Sequence, residues 1–274
     1  MKLFDSHAHY FDRRFEREAE GGADAILKAI MPTPVYAIVN VGTNCESSKR
    51  AIEQALQYDG MYAAVGIHPE DCHYIEDVDI ALSELRDLLG DEAHRKKNKI
   101  VALGEIGLDY HYENYGDIPM DKQKQALFFD AQLELARELR LPVIIHDREA
   151  HGDCFETVLR HPNVHGVFHS YSGSAEMARE LVKRGWYISF SGTLTFKNAA
   201  RVREAAMAVP RDRLLIETDA PYLAPHPHRG KLNHSQRLEC SVQTLSELWN
   251  CTPEEVAEIT ASNAEKLFFS TNIV

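Results

Sequence analysis

The sequence has no Cys-x-x-Cys pair, and its five cysteines (Cys45, Cys72, Cys154, Cys240 and Cys251) are odd in number and widely scattered. That spacing excludes a thiolate zinc site and a disulfide framework, and it predicts a reducing compartment. Also missing is any run of about 18 uncharged apolar residues, so no membrane span is expected. At the N-terminus Lys2 is followed at once by acidic and histidine residues in place of an apolar signal segment, which predicts a cytoplasmic or nuclear protein. No linker divides the 274 residues, and one α/β barrel of about 250 residues fits that length as a single domain, 1–274. Positive charge is in deficit: 30 Lys and Arg against 42 Asp and Glu leave a net charge of −12. A broad basic surface for nucleic acid is thereby excluded, and a phosphate-bearing substrate would have to meet local cations.

What is present is a regular beat. Short β-rich apolar runs occupy residues 2–7, 35–41, 61–67, 100–105, 142–146, 164–169, 186–191 and 214–219. Several, such as Val35-Tyr36-Ala37-Ile38-Val39, are continuously apolar, as expected for parallel strands covered on both faces. Helical periodicity separates them at 44–58, 79–89, 121–140, 149–159, 175–184 and 198–207. In 121–140 the apolar stripe reads Leu127, Phe128, Ala131, Leu135 and Leu139. Beyond the eighth run come a Pro- and His-rich loop, 220–234, and helical stretches at 236–249 and 253–269, the last with Thr252 as N-cap and Pro253 at its first position. The fold class predicted is an α/β, (β/α)8 TIM-type barrel with extra C-terminal helices, and an open doubly wound sheet is the runner-up.

In a barrel of this kind chemistry collects at the C-terminal ends of the strands. Residues two apart on a strand share a face, so Asp5, His7 and His9 converge as the first run ends. Glu105 ends the fourth run, His146 the fifth, His169 the sixth, and Glu217 and Asp219 the eighth. Singly, each has a bland alternative: His146 as a partner of Asp147 or Arg148, Glu105 as an ion-paired loop carboxylate. Together, four imidazoles and two carboxylates would cost several kcal/mol each to desolvate unpartnered, which a metal centre explains. Nitrogen and oxygen ligands suit Mg²⁺, Mn²⁺ or Zn²⁺ alike, and there are enough for two ions.

Six stretches stand out along the chain: Phe4-Asp5-Ser6-His7-Ala8-His9, Gly66-Ile67-His68-Pro69, Gly104-Glu105-Ile106-Gly107-Leu108-Asp109-Tyr110, Pro142-Val143-Ile144-Ile145-His146, His169-Ser170-Tyr171-Ser172-Gly173 and Glu217-Thr218-Asp219-Ala220-Pro221-Tyr222-Leu223-Ala224-Pro225. On these the chain resembles the TatD family of metal-dependent deoxyribonucleases, within the amidohydrolase-like barrels. The resemblance implies two divalent ions: His7, His9 and Asp219 on one, His146 and His169 on the other, and Glu105 bridging. Many related barrels bridge with a carboxylated lysine, but Lys99 lies at the wrong end of its run, so the bridge falls to Glu105. The resemblance further implies hydrolysis of DNA. Two departures stand out. After Arg229-Gly230-Lys231 the family continues with one residue and then Asn-Glu-Pro, whereas this chain has Leu232-Asn233-His234-Ser235; and Glu70 follows His68-Pro69 where histidine is common.

Catalytic roles are expected of Asp219, as general base or water-orienting group, of Glu105, and of Glu217, which instead holds a ligand or pairs with an interior cation. His68, Arg148, Arg229 and Lys231 are candidates for phosphate oxygens. Tyr110, Tyr171 and Tyr222 are candidates for stacking on bases. The expected activity is that of a monomeric nuclease on single-stranded or frayed DNA ends. Its alternatives are a hydrolase of another ester, such as an aminoacyl-tRNA, and a non-catalytic metal-binding protein.

Overall fold

Every apolar run becomes a strand in the computed structural model, which describes residues 1–31 and 34–270. In chain order the strands are β1 (Leu3–Ala8), β2 (Val35–Val41), β3 (Met61–Val65), β4 (Ile100–Asp109), β5 (Asn114–Tyr115), β6 (Ile118–Pro119), β7 (Val143–Arg148), β8 (Gly166–Phe168), β9 (Tyr187–Phe190) and β10 (Leu214–Ile216). β5 and β6 form a small antiparallel hairpin outside the barrel that periodicity had not revealed. The other eight pair in parallel in the order β1-β2-β3-β4-β7-β8-β9-β10.

The order never reverses, so there is no switch point of the kind an open doubly wound sheet contains. Instead the last strand returns to the first. Ala8 bridges to Ala220, the Asp219 N–H donates to the His7 carbonyl at 2.9 Å, and the His9 N–H donates to the Ala220 carbonyl at 2.7 Å. Deeper in the seam the Ser6 hydroxyl donates to the Ile216 carbonyl at 3.0 Å. The Asp5 carboxylate accepts from the Thr218 N–H at 2.9 Å and the Thr218 hydroxyl at 2.5 Å. Asp5 therefore fastens the barrel shut and does not join the histidines of its own strand.

Two apolar layers hold this arrangement. Alternate strand residues (Phe4, Val39, Ala64, Ala102, Ile144, Val167, Leu215) cluster with Ala261, Ala264, Leu267 and Phe268 of the helix Pro253–Phe269. Their neighbours in sequence, such as Leu3, Ile38, Ala63, Leu103 and Val143, pack in the larger cluster with the surrounding helices. The terminal helix closes the end opposite the motif residues: its Asn263 amide donates to the carbonyls of Arg211 and Leu214, at the start of β10. It begins with the expected Thr252 cap, reinforced by Glu255.

The helix Lys122–Leu139 departs from its expected stripe. Leu127 is exposed, while Gln125 and Gln132 are fully buried. Both glutamines bond to backbone in a donor-and-acceptor pair: Gln132 with the N–H and C=O of Ile67 (2.8 and 3.0 Å), Gln125 with those of Asp109 (2.9 and 2.8 Å). A buried amide that satisfies both backbone groups fixes the strand exit it grips. The two exits are those that carry His68 and Asp109.

Candidate metal centre

The six residues expected as ligands meet at the barrel mouth. Glu105 is at their middle, only 2% exposed, and its two oxygens face different neighbours. Oε1 lies 2.7 Å from His146 Nδ1 and 2.7 Å from His169 Nε2. Oε2 lies 3.3 Å from His7 Nε2 and 3.6 Å from His9 Nε2. Asp219 Oδ1 completes the second group at 3.3 Å from His9 Nε2 and 3.8 Å from His7 Nε2. Two ligand atoms on one ion at bonds of about 2.1 Å sit about 3 Å apart, which is the scale of these separations.

Local backbone explains how the carboxylates arrive there. β4 runs to Asp109, four residues past its expected end, and Glu105 and Asp109, four apart, share a face. They take the two nitrogens of one ring: Asp109 Oδ2 is 3.0 Å from His146 Nε2. Between them Gly107 has φ +146°, and a Cβ there would lie 2.0 Å from the His146 carbonyl oxygen. Only glycine lets β4 and β7 approach so closely behind the site. Asp219 and Ser170, at the exits of the last and sixth barrel strands, adopt left-handed φ of +57° and +40°, backbone conformations that non-glycine residues adopt at some cost.

The outer nitrogens settle the tautomers. His9 Nδ1 is 2.6 Å from the Val41 carbonyl, which can only accept, so that nitrogen carries hydrogen. His169 Nδ1 is held at 3.1 Å by Glu217 Oε1, which also accepts from the Ser170 N–H at 2.8 Å. His146 Nε2 is held by Asp109. Each neutral ring therefore turns a lone pair inward, and two of these lone pairs confront one oxygen of Glu105 at 2.7 Å. Three acceptors this close require a cation among them, and a ligand histidine braced by an outer carboxylate is a common arrangement around metal ions. His7 Nδ1 is buried with no hydrogen-bond partner among the described residues. The donor set, all nitrogen and carboxylate oxygen, fits a divalent ion.

Without metal, protons fill that role. Burial favours neutral His146, but its bonds to Asp109 and Glu105 and the charge of Glu105 prevail and push it up to about 9. For His169, burial is likewise outweighed by Glu105 and Glu217, which raise it well above the ordinary range. Burial would raise Glu105, yet the imidazoles of His169, His7 and His68 hold it well below the usual carboxylate range. Asp219 is lowered for the same reason, chiefly by His9 acting against burial.

The remaining expected residues are placed as follows. Glu217 is 1% exposed and bonds to His169 and Ser170 within the wall, so it positions the His169 ring. His68 Nε2 lies 3.5 Å from Glu105 Oε1, and its Nδ1 accepts the Glu70 N–H at 3.1 Å, so Nε2 carries the hydrogen. Arg148 Nη1 is 4.0 Å from Asp109 Oδ2, and its guanidinium lies over Tyr112. Arg229 lies over Phe196, 4.2 Å from the ring centroid, and Lys231 is exposed. Tyr171 is buried, its hydroxyl donating to the Ser174 carbonyl, so base stacking there is ruled out by burial. The Tyr110 ring carries the Lys122 ammonium at 3.9 Å; Tyr222 remains exposed, 6.4 Å from the His9 ring. Asp109 was missed as a functional residue because β4 was read as ending at Glu105. Lys99 donates to the carbonyls of Ala55 and Tyr58, far from a bridging position.

Comparison with known proteins identifies the family of the chain. The family model described as TatD related DNase matches residues 4–269. Among curated proteins, the chain is similar to the uncharacterized metal-dependent hydrolase YabD of Bacillus subtilis, 41% identical over 97% of this chain and 98% of that one. It is also similar to the uncharacterized metal-dependent hydrolase TatD of Mycobacterium tuberculosis, 37% identical over 97% of each chain. The crystal structure of YjjV, a TatD homolog from Escherichia coli, superposes with a TM-score of 0.85 at 31% identity, covering 98% of both chains.

Proposed function

The chain belongs to the family of TatD-related DNases, and from that premise we propose that it cleaves phosphodiester bonds of DNA with two divalent ions, working on single-stranded or frayed ends as a cytoplasmic monomer. That it is a metal-dependent hydrolase follows from its relatives. The observation that carries the two-ion reading is the division of Glu105: each oxygen faces its own set of imidazoles, as a bridging carboxylate requires. Two divalent ions held by these residues would supply a nucleophilic water at neutral pH and a charge clamp on the attacking and leaving oxygens.

The chain's own residues do the rest. Glu105 and its histidines form a rigid, dehydrated wall. Asp219 is the ligand carboxylate that reaches the mouth, its side chain 15% exposed against 3% for Glu105. Kept ionised by His9, it can accept the proton that an attacking water loses. His68 presents an N–H to an oxygen of the substrate beside Glu105. Arg148, 42% exposed, offers a guanidinium fork suited to a phosphate; Arg229 and Lys231 add charge farther out on the rim.

The test is to incubate the purified protein with labelled single- and double-stranded DNA, RNA, an aminoacyl-tRNA and a generic ester, each with Mg²⁺, Mn²⁺ or Zn²⁺ and with chelator. Metal-restored release of nucleotides from single-stranded DNA is expected. Activity on the aminoacyl-tRNA or ester alone would replace the DNA reading with the other hydrolase reading, and activity surviving chelation would overturn both.

A further inference from the structure

The loop that follows Asp109 carries an exposed aromatic ring to the edge of the metal centre. Asp109 divides its carboxylate between the two: Oδ2 lies 3.0 Å from His146 Nε2, while Oδ1 accepts the His111 N–H at 2.9 Å as β4 ends. From there the chain enters the β5–β6 hairpin, whose Tyr115 is buried, its hydroxyl donating to the Asp109 carbonyl at 3.1 Å. Tyr112, between these anchors, has its ring nearly perpendicular to those of His111, 4.6 Å away, and Tyr115, 6.0 Å away. It is nevertheless 44% exposed.

Beside it stands a cation that is weakly matched. The Arg148 guanidinium lies over the Tyr112 ring, 5.1 Å from its centroid. The carboxylate nearest to it among the described residues, Asp109, is 4.0 Å away, and that oxygen is already on His146. The Arg148 side chain is 42% exposed, so its fork is open to solvent. Tyr222, the exposed ring beside His9, differs: the arginine above it, Arg14, is held by Glu18 through bonds of 2.7 and 3.1 Å, and its own hydroxyl donates to Asp12 at 2.6 Å. An exposed ring held from three sides, with an unclaimed charged fork beside it, matches two features of one nucleotide, the flat base and the phosphate. A tyrosine fixed in advance also loses little side-chain freedom when it stacks.

We propose that Tyr112 and Arg148 form a nucleotide subsite on the His146 side of the mouth, in which the base of a single-stranded nucleotide stacks on the exposed part of the Tyr112 ring and the Arg148 fork holds the phosphate beside it. This deepens the DNA reading and rests on it for the identity of the strand. Stacking reads the flat face of a base and not its edges, so the subsite serves any sequence and favours strands whose bases are already unpaired.

The experiment follows stacking and cleavage separately. Single-stranded tetranucleotides that carry the fluorescent base 2-aminopurine at one position at a time are mixed with metal-loaded protein, and quenching is read before turnover. One position should be quenched by the parent and by Tyr112→Phe, but not by Tyr112→Ala or by Tyr112→Leu, which keeps bulk without the ring. KM is then measured for a thymidine tetranucleotide with 5,6-dihydrothymine at that position, a base that keeps the polar edges of thymine and loses its flat aromatic ring. In the parent this base should raise KM about fivefold or more, the low end of what stacking contributes per base, with kcat little changed. In Tyr112→Ala and Tyr112→Leu the two substrates should have equal KM, and both variants should melt with the parent. Arg148→Gln should weaken both substrates alike. Quenching without cleavage would overturn the DNA-hydrolysis reading and leave the subsite standing. Cleavage without Tyr112-dependent quenching would overturn the subsite alone, as would a dihydrothymine penalty that is absent in the parent or persists in Tyr112→Ala. Absence of both quenching and cleavage would overturn both.

Discussion

Loading the centre with metal should expel protons, and the number follows from the geometry. In the metal-free protein the gaps between Glu105 Oε1 and the inner nitrogens of His146 and His169 are bridged by hydrogen, because all three atoms are otherwise acceptors. With His146 at about 9, about 99% of that ring is protonated at pH 7, compared with about a quarter for an ordinary histidine near 6.5. His169 lies higher than its ordinary value as well. An ion bound to the inner nitrogens must displace both protons, so about two should be released per chain, against about half of one for two ordinary histidines. Calorimetric titration of metal-free protein with Zn²⁺ or Mn²⁺ at pH 7, in buffers of different ionisation heat, reads this number from the slope. Release of fewer than about one proton per chain would refute the reasoning. The same shift predicts a stability effect of definite sign. A pKa raised by folding stabilises fully below the unfolded value, about 6.5, and the benefit fades as pH rises through about 9. His146 should thus cost the metal-free protein about 3 kcal/mol across that window, read by urea denaturation, and the metal-loaded protein should not show the loss.

Asp109→Asn keeps a hydrogen-bond acceptor near His146 Nε2 but removes its charge, so affinity for the ion held by His146 and His169 should fall about 10–100-fold, measured by metal titration. Asp219→Asn should reduce turnover roughly 10²-fold or more, measured with metal saturating. Near-parental turnover with normal metal binding would demote Asp219 to a structural role. Gln132→Leu strands the N–H and C=O of Ile67 and should destabilise by about 1–3 kcal/mol for each group left unpaired; KM should also rise, because His68 follows Ile67 directly. Affinity for single-stranded DNA should fall only shallowly with salt, with a log–log slope of about −1 to −3, because cations meet the strand only at the rim.

The barrel was legible because its signal is local. A run such as Val35–Val41 declares a buried strand from its own residues, and eight such runs with helices between them leave few ways to close. The imidazoles and carboxylates that meet at the mouth were legible for the same reason, since each ends a run. What escaped depends on partners distant in sequence. Leu127 fits the apolar stripe of its helix as well as Leu135 does, and nothing within that helix says that Gln125 and Gln132, seven residues apart, face inward to hold two strand exits. Periodicity counts apolar residues, whereas a buried glutamine is stabilised by backbone groups more than 15 residues away. Asp109 was hidden by the length of β4, whose register shifts between Leu103 and Ile106 and carries the strand past Glu105 to a second carboxylate on the same face. The replacement at His234 was visible in the sequence, but its consequence was not. In the fold, the residues on either side of it, Asn233 and Ser235, bond to Thr218 and Tyr10, the neighbours of Asp219 and His9. The residues that tune this site are therefore those whose roles are assigned by the closure of the barrel and by no pattern of their own.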